Sequence, residues 1–329
     1  MRFIGKMVLS MLAIGVSIVP VLAQTVPSIA ATSLAPTGEF APALTISRRV
    51  DEVNLAFTVT DKKGRFITNL SPADFQVLDN LQSPSSIDFF QQQTDLPLRV
   101  GLLIDASDSI KYRFGFECVA ASTFLKNILR PGKDQAFILS FDGRVHLMHG
   151  FSDDVRDLSR SVRKIHPGGD TALYDAVVYA SNLLKNVPSE ARRAIIVITD
   201  GEDTHSRSLM SEAGQAAARA QVTLFALSTN DLSYGQYPRG EAVLDLLSLP
   251  TGGRILPAHD EAHLGQALRA VELTLRNQYA LGYHPSGFTP DGSFHHVQLT
   301  PLRKGLRIQC RKGYYARQED ARNLAPPAR

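Results

Sequence analysis

The sequence predicts an α/β fold: a mostly parallel sheet with helices on both faces, inserted into a β-sandwich that the two flanks of the chain build together. Three observations carry this. Between Leu98 and Arg276, short apolar runs alternate with stretches of helical spacing, the rhythm of units that form a parallel sheet. Two of those runs, Val100 to Ile104 and Ala194 to Thr199, suit strands buried on both faces. On either side, residues 44–93 and 278–316 have the alternation of short strands broken by Gly-, Pro- and Asp-containing turns.

A chain of 329 residues, 44% hydrophobic and 20% charged, has the composition of a soluble, well-cored protein of one large domain or two ordinary ones. A formal charge of +3 without a basic block gives no electrostatic case for nucleic acid. Arg2 and Lys6 precede an apolar run from Met7 to Leu22, and Val21-Leu22-Ala23 offers a small-residue cleavage site, so residues 1–23 read as a secretory signal peptide. The run falls short of the ~20 residues that span a bilayer, and no later stretch reaches that length. The expectation is a secreted or periplasmic protein without a stable membrane span after cleavage. Cys118 and Cys310 are too few for a disulfide framework, and either one bridge or two buried thiols fits.

In chain order, residues 24–43 read as a disordered Pro/Thr/Ala/Ser leader. Residues 44–94 form the first part of the sandwich, with strands around Val53 to Val59, Asp74 to Asp79 and Ile87 to Phe90. Residues 95–276 form the α/β domain. Helices are expected at 112–129, 155–165, 172–184, 211–220, 241–249 and 260–276. Strands are expected at 100–104, 136–141, 194–199, 222–227 and 253–256, and residues 144–148 pair back through the Asp142-Gly143 turn. Residues 277–316 supply the second part of the sandwich, with strands at 279–283, 295–299 and 306–310, and residues 317–329 a disordered tail.

Where the strand at Val100 to Ile104 ends, the composition switches to oxygen-bearing side chains: Asp105, Ser107, Asp108 and Ser109. Ligands of open α/β sheets bind at that end of the strands. One carboxylate and two hydroxyls on alternate residues form a hard, oxygen-only donor set suited to Mg²⁺, Mn²⁺ or Ca²⁺, but short of the six oxygens such a cation takes. Two further loops reach the same rim. Gly168-Gly169-Asp170-Thr171 leads into a helix, and Asp200 follows the strand ending at Thr199.

Asp105-Ala106-Ser107-Asp108-Ser109, Thr171 within Gly-Gly-Asp-Thr-Ala-Leu-Tyr-Asp-Ala and Asp200 within Ile-Thr-Asp-Gly-Glu-Asp together resemble the von Willebrand factor A (VWA) domain family, with its metal-ion-dependent adhesion site. The resemblance covers residues 98–276 and implies a Rossmann-like domain. It further implies that Ser107 and Ser109 bind the cation directly, that Thr171 does so in the liganded state, and that Asp105 and Asp200 act mainly through coordinated water. The last coordination position would go to an exposed Asp or Glu of a partner protein. Asp108 stands where many members carry Gly. The flanks, at Asp74-Phe75-Gln76-Val77 and Arg311-Lys312-Gly313-Tyr314-Tyr315-Ala316, are similar to the bacterial subset described as acidobacterial-type VWFA-related proteins.

Other chemistries fit less well. A Mg²⁺-dependent phosphate-ester hydrolase on the same rim would need a base such as Asp108 or Glu202 and a clamp such as Arg207 or Lys111, and no spacing argues for them. His259-Asp260-Glu261-Ala262-His263 departs from the zinc-protease helix, because Asp260 and not Glu follows the first His. Pro257 sets His259 before the helix, so the stretch reads as a solvated helix start. His295 and His296 fall on opposite faces of a strand. No phosphate-cradling loop, nucleophile elbow or dinucleotide fingerprint is present, and the sequence reads as a binding protein and not an enzyme.

Overall fold

The computed structural model describes residues 52–92, 96–108, 114–188, 191–230 and 239–316. Ser109 and Lys111 lie outside them, as do the expected signal peptide, leader and tail. Among the described residues no helix is long and apolar enough to cross a membrane.

The first flank forms three strands, β1 (Val53–Thr60), β2 (Phe75–Asp79) and β3 (Ser86–Gln92). The α/β region then runs β4 (Leu98–Asp105), α1 (Phe114–Ile128), β5 (Gln135–Phe141), β6 (Val145–Ser152), α2 (Val155–Val162), α3 (Leu173–Lys185) and β7 (Arg192–Thr199). It continues through α4 (Met210–Arg219), β8 (Thr223–Ser228), α5 (Arg239–Ser248), β9 (Arg254–Pro257) and α6 (Glu261–Arg276). The second flank adds β10 (Tyr279–His284), β11 (Phe294–Pro301), β12 (Arg307–Cys310) and β13 (Gly313–Tyr315). Two details differ from the sequence reading. The helix expected to reach Ile165 stops at Val162, and β13, at three residues, is too short to show alternation.

The central sheet has the order β6-β5-β4-β7-β8-β9, parallel except for β6, which the Asp142-Gly143 turn returns antiparallel to β5. β4 shows why the sequence folds this way. Leu98, Val100, Leu102 and Ile104 pack with α1, α2 and α6, while Leu103 faces the opposite core with α3, α4 and α5. A strand covered by helices on both sides is a near-continuous apolar run. Ala176 and Ala180 give α3 a flat side in that second core.

The flanks interleave. One antiparallel sheet runs β12-β1-β10-β3 and the other β13-β11-β2, so each contains strands from both ends of the chain. Leu55, Phe57, Phe75, Val77, Leu281, Val297 and Leu299 share the core between them. β3, the last strand before the α/β region, pairs with β10, the first after it, so the chain leaves and re-enters the sandwich at adjacent strands. Lys312 N donates to Pro250 O (2.9 Å), and the Arg219 guanidinium lies 4.4 Å from the Tyr315 ring centre, joining sandwich to α/β region. Cys118, buried in α1, and Cys310, half-buried in β12, are free thiols.

Candidate metal centre

Because β4 and β7 are parallel neighbours with Ile104 opposite Ile198, Asp105 and Thr199 end the two strands side by side. Thr199 Oγ1 donates to Asp105 Oδ2 (2.6 Å), and Ser107 N donates to Oδ1 (2.9 Å). Asp105 is 0% exposed, and among the described residues no Lys, Arg or His pairs with it. Burial raises its pKa to about 6, against the opposing pull of the Thr199 and Ser107 hydrogen bonds, and the negative charge of Asp200 adds to the rise.

The three loops predicted to converge do so. Gly168 N donates to Ala106 O (2.6 Å) and Asp108 N to Gly169 O (3.1 Å), tying the loop before α3 to the end of β4. Ala172 N donates to Asp142 O (2.7 Å), anchoring the same loop to the β5–β6 turn. Thr171, 6% exposed, is clamped by its backbone: its N donates to Thr204 Oγ1 (2.9 Å), and its carbonyl accepts from Thr204 N and His205 N (2.9 Å each). Its hydroxyl makes no hydrogen bond among the described residues, which leaves that oxygen available as a ligand. The structure thus brings Asp105, Ser107, Thr171 and Asp200 to one rim; Ser109, the fifth predicted residue, lies outside the described residues.

Several positioning residues escape the sequence reading. Thr199 is one, legible only as the last polar residue of an apolar strand. Asp200 is seated by a second set: its carbonyl accepts from Asn230 Nδ2 (2.7 Å), which also reaches Glu241 Oε1 (3.1 Å). Glu241, buried at the start of α5, accepts in addition from the Ser228 hydroxyl. Gly201 (φ +82°) and Gly240 pack backbone to backbone; a Cβ on Gly240 would stand 2.0 Å from Asp200 O. Asp203 completes the seat, accepting from Tyr174 N (3.2 Å) and the Ser206 hydroxyl (2.6 Å). Exposed carboxylates ring the site, among them Asp108 and Glu202, and His205 Nδ1 lies 3.5 Å from Asp170 Oδ2. Of the groups a hydrolase would need, Arg207 is exposed and its backbone N donates to Asp175 Oδ2 (3.0 Å).

The six-stranded, mostly parallel sheet with helices on both faces and a polar rim at the strand C-termini is the fold of a von Willebrand factor type A domain. Residues 100–202 match the family model of the von Willebrand factor type A domain, a span that takes in all five predicted site positions. Solved structures similar to this chain include the conserved hypothetical protein BatB from Bacteroides thetaiotaomicron (18% identity over 55% of this chain and 100% of that one, TM-score 0.45). Another is the vWF domain of the type V pili tip protein Mfa5 from Porphyromonas gingivalis (14% identity, 55% and 95%, TM-score 0.47). A third is proximal thread matrix protein 1 from the mussel byssus, with a zinc-occupied MIDAS motif (14% identity, 60% and 49%, TM-score 0.49). No curated protein matches the sequence.

Proposed function

We propose that this chain is an exported, divalent-cation-dependent protein-binding module of the adhesion type. In this reading Asp105, Ser107, Ser109, Thr171 and Asp200 hold Mg²⁺, or Mn²⁺ or Ca²⁺ by the same chemistry, and an exposed Asp or Glu of a partner protein completes the coordination. The observation that carries it is the full burial of Asp105 near a second carboxylate, with no basic side chain of the described residues paired to it. A carboxylate out of water without a counter-charge is costly, and a hard cation removes that cost. The hydroxyls of Ser107, Ser109 and Thr171 are neutral donors. They leave the bound cation electrophilic toward an outside carboxylate, which is what a recognition site requires. Export rests on the signal-like residues 1–23. The exposed carboxylates around the rim favour a partner whose acidic residue is surrounded by basic ones.

The test combines binding and capture. Mg²⁺ should raise the melting temperature of the wild-type protein and leave Asp105→Ala unmoved. Envelope proteins retained on the immobilised protein in Mg²⁺ should be released by EDTA and absent from the Asp105→Ala column. Retention that survives both EDTA and Asp105→Ala overturns the proposal, as does metal-dependent turnover of a generic phosphate ester by clean protein.

A further inference from the structure

Apart from the oxygen-rich rim, one cluster among the described residues has the donors of a different kind of metal. β9 ends at Pro257, and Ala258 is buried with its N donating to Ser228 O (2.6 Å), which fixes where His259 leaves the sheet. Asp260 is the N-cap of α6: its Oδ1 accepts from His263 N (2.8 Å). Leu264 and Leu268 are buried against the sheet, so α6 is held firmly and His263 with it. Pro257 implies that His259 stands before the helix, and so it does. The start of the helix is partly exposed, as its sequence implies, and its side chains also meet one another. The chain folds back, and the rings of His259 and His263 lie 4.1 Å apart, inclined by 34°.

The third donor comes from the cap itself. Asp260 Oδ1 is 2.9 Å from His263 Nδ1, and its Oδ2 is 3.6 Å from His259 Nε2. His263 Nδ1 is buried and makes no hydrogen bond of acceptable geometry, although Asp260 Oδ1 stands beside it. A ligand atom from each of the three side chains falls within 4.8 Å of the other two. Donors around a tetrahedral zinc stand about 3.3 Å apart, from metal–donor lengths near 2.0–2.1 Å. Closing the donors to that spacing falls to the side chains of His259 and Asp260, which precede the helix.

We propose that His259, Asp260 and His263 form a second metal site, selective for Zn²⁺, Ni²⁺ or Cu²⁺ over Mg²⁺ and Ca²⁺. Two imidazoles and one carboxylate are the donor set that borderline transition metals prefer, whereas hard cations take oxygen alone. With three protein ligands the site keeps a position open to water or to an outside donor. It shares no residue with the rim around Asp105, so the two sites stand or fall separately.

The experiment is calorimetric titration of Zn²⁺ into tag-free full chain, stripped of metal and then held in excess Mg²⁺ to occupy the rim. One equivalent of Zn²⁺ should bind to the wild-type protein and equally to Asp105→Ala. His259→Gln and His263→Gln should each weaken it by more than the roughly 10- to 100-fold that loss of an outer-shell partner costs. Asp260→Asn keeps an oxygen to cap α6 and should weaken Zn²⁺ binding while leaving the circular dichroism spectrum unchanged. Cu²⁺ should give an electron paramagnetic resonance spectrum with nitrogen coupling that both His variants lose. No Zn²⁺ binding in the presence of Mg²⁺, or binding unchanged in the His259→Gln/His263→Gln double variant, overturns the proposal.

Discussion

β4 runs between two buried aspartates, and the chain treats them oppositely. At its start, Leu98 N donates to Asp134 Oδ1 (2.8 Å), and Asp134 also receives Arg130 N (3.0 Å), Arg130 Nε (2.7 Å) and Nη2 (2.9 Å), and Arg276 Nη2 (3.3 Å). At its end, ~23 Å away at strand rise, Asp105 is held by the Thr199 hydroxyl and by Ser107, through its backbone N–H and its side chain, with no cationic partner among the described residues, and it faces another carboxylate. Both are 0% exposed. The base of the sheet therefore carries a neutralised carboxylate that ties together the starts of β4 and β5 and the ends of α1 and α6. The rim carries one whose charge the described protein leaves uncompensated. Equal burial with unequal compensation is the difference on which the proposed cation site rests.

Substitutions at the two ends should therefore move stability in opposite directions. Asp134→Asn removes the charge that two guanidiniums share and should destabilise by about 3 kcal/mol, read by urea unfolding. A loss within experimental error would mean that the base and the rim do not differ in the way claimed. Asp105→Asn removes a charge that costs free energy where it stands, so in EDTA it should stabilise the protein by about 2 kcal/mol while abolishing the Mg²⁺-induced rise in melting temperature. Destabilisation by both variants would erase the distinction. Gly240→Ala sharpens it at a smaller scale. Its methyl group would overlap the Asp200 carbonyl, so α5 must shift, costing about 1–2 kcal/mol and weakening Mg²⁺ binding with Asp105 itself untouched.

The rim is legible in the sequence because its parts are local: an apolar run followed at once by oxygen donors marks the C-terminal end of a buried strand. Parallel topology then sends Asp105 and Asp200 to the same edge. The base is not legible. Asp134 reads as an ordinary residue of a Pro-Gly loop, and its meaning depends on Arg276, 142 positions away and delivered only by the packing of α6. Thr199 and Glu241 stay hidden for a related reason, since a hydroxyl or carboxylate inside an element declares its partner only in three dimensions. The sandwich is visible as texture, but strand order depends on register between segments as far apart in the chain as β1 and β10. At His259 the Pro257 rule locates the helix start correctly and gives no information on ring packing.

The smallest expected effect is also the most direct comparison, because the two acids should titrate with opposite sign. Burial pushes the Asp134 carboxyl up, but the Arg130 hydrogen bonds, the backbone N–H groups and the Arg130 charge outweigh it, and its pKa lies below the ordinary value. Its stabilisation is present above the unfolded pKa of about 3.9 and is lost as pH falls through the lower folded value. Asp105, raised to about 6 by burial, does the reverse: its protonated form suits the folded state, and the stability this gives is lost as pH rises from about 4 through 6. In EDTA, the advantage of Asp105→Asn over wild type should therefore be full above about pH 6 and shrink toward zero near about pH 4, while the deficit of Asp134→Asn persists at about pH 4 and narrows only below it. Urea unfolding of the three proteins from about pH 3 to about pH 8 measures both curves. Two differences that close over the same pH window would show that the arginines at the base do not set Asp134 apart, and that Asp105 needs no cation to explain it.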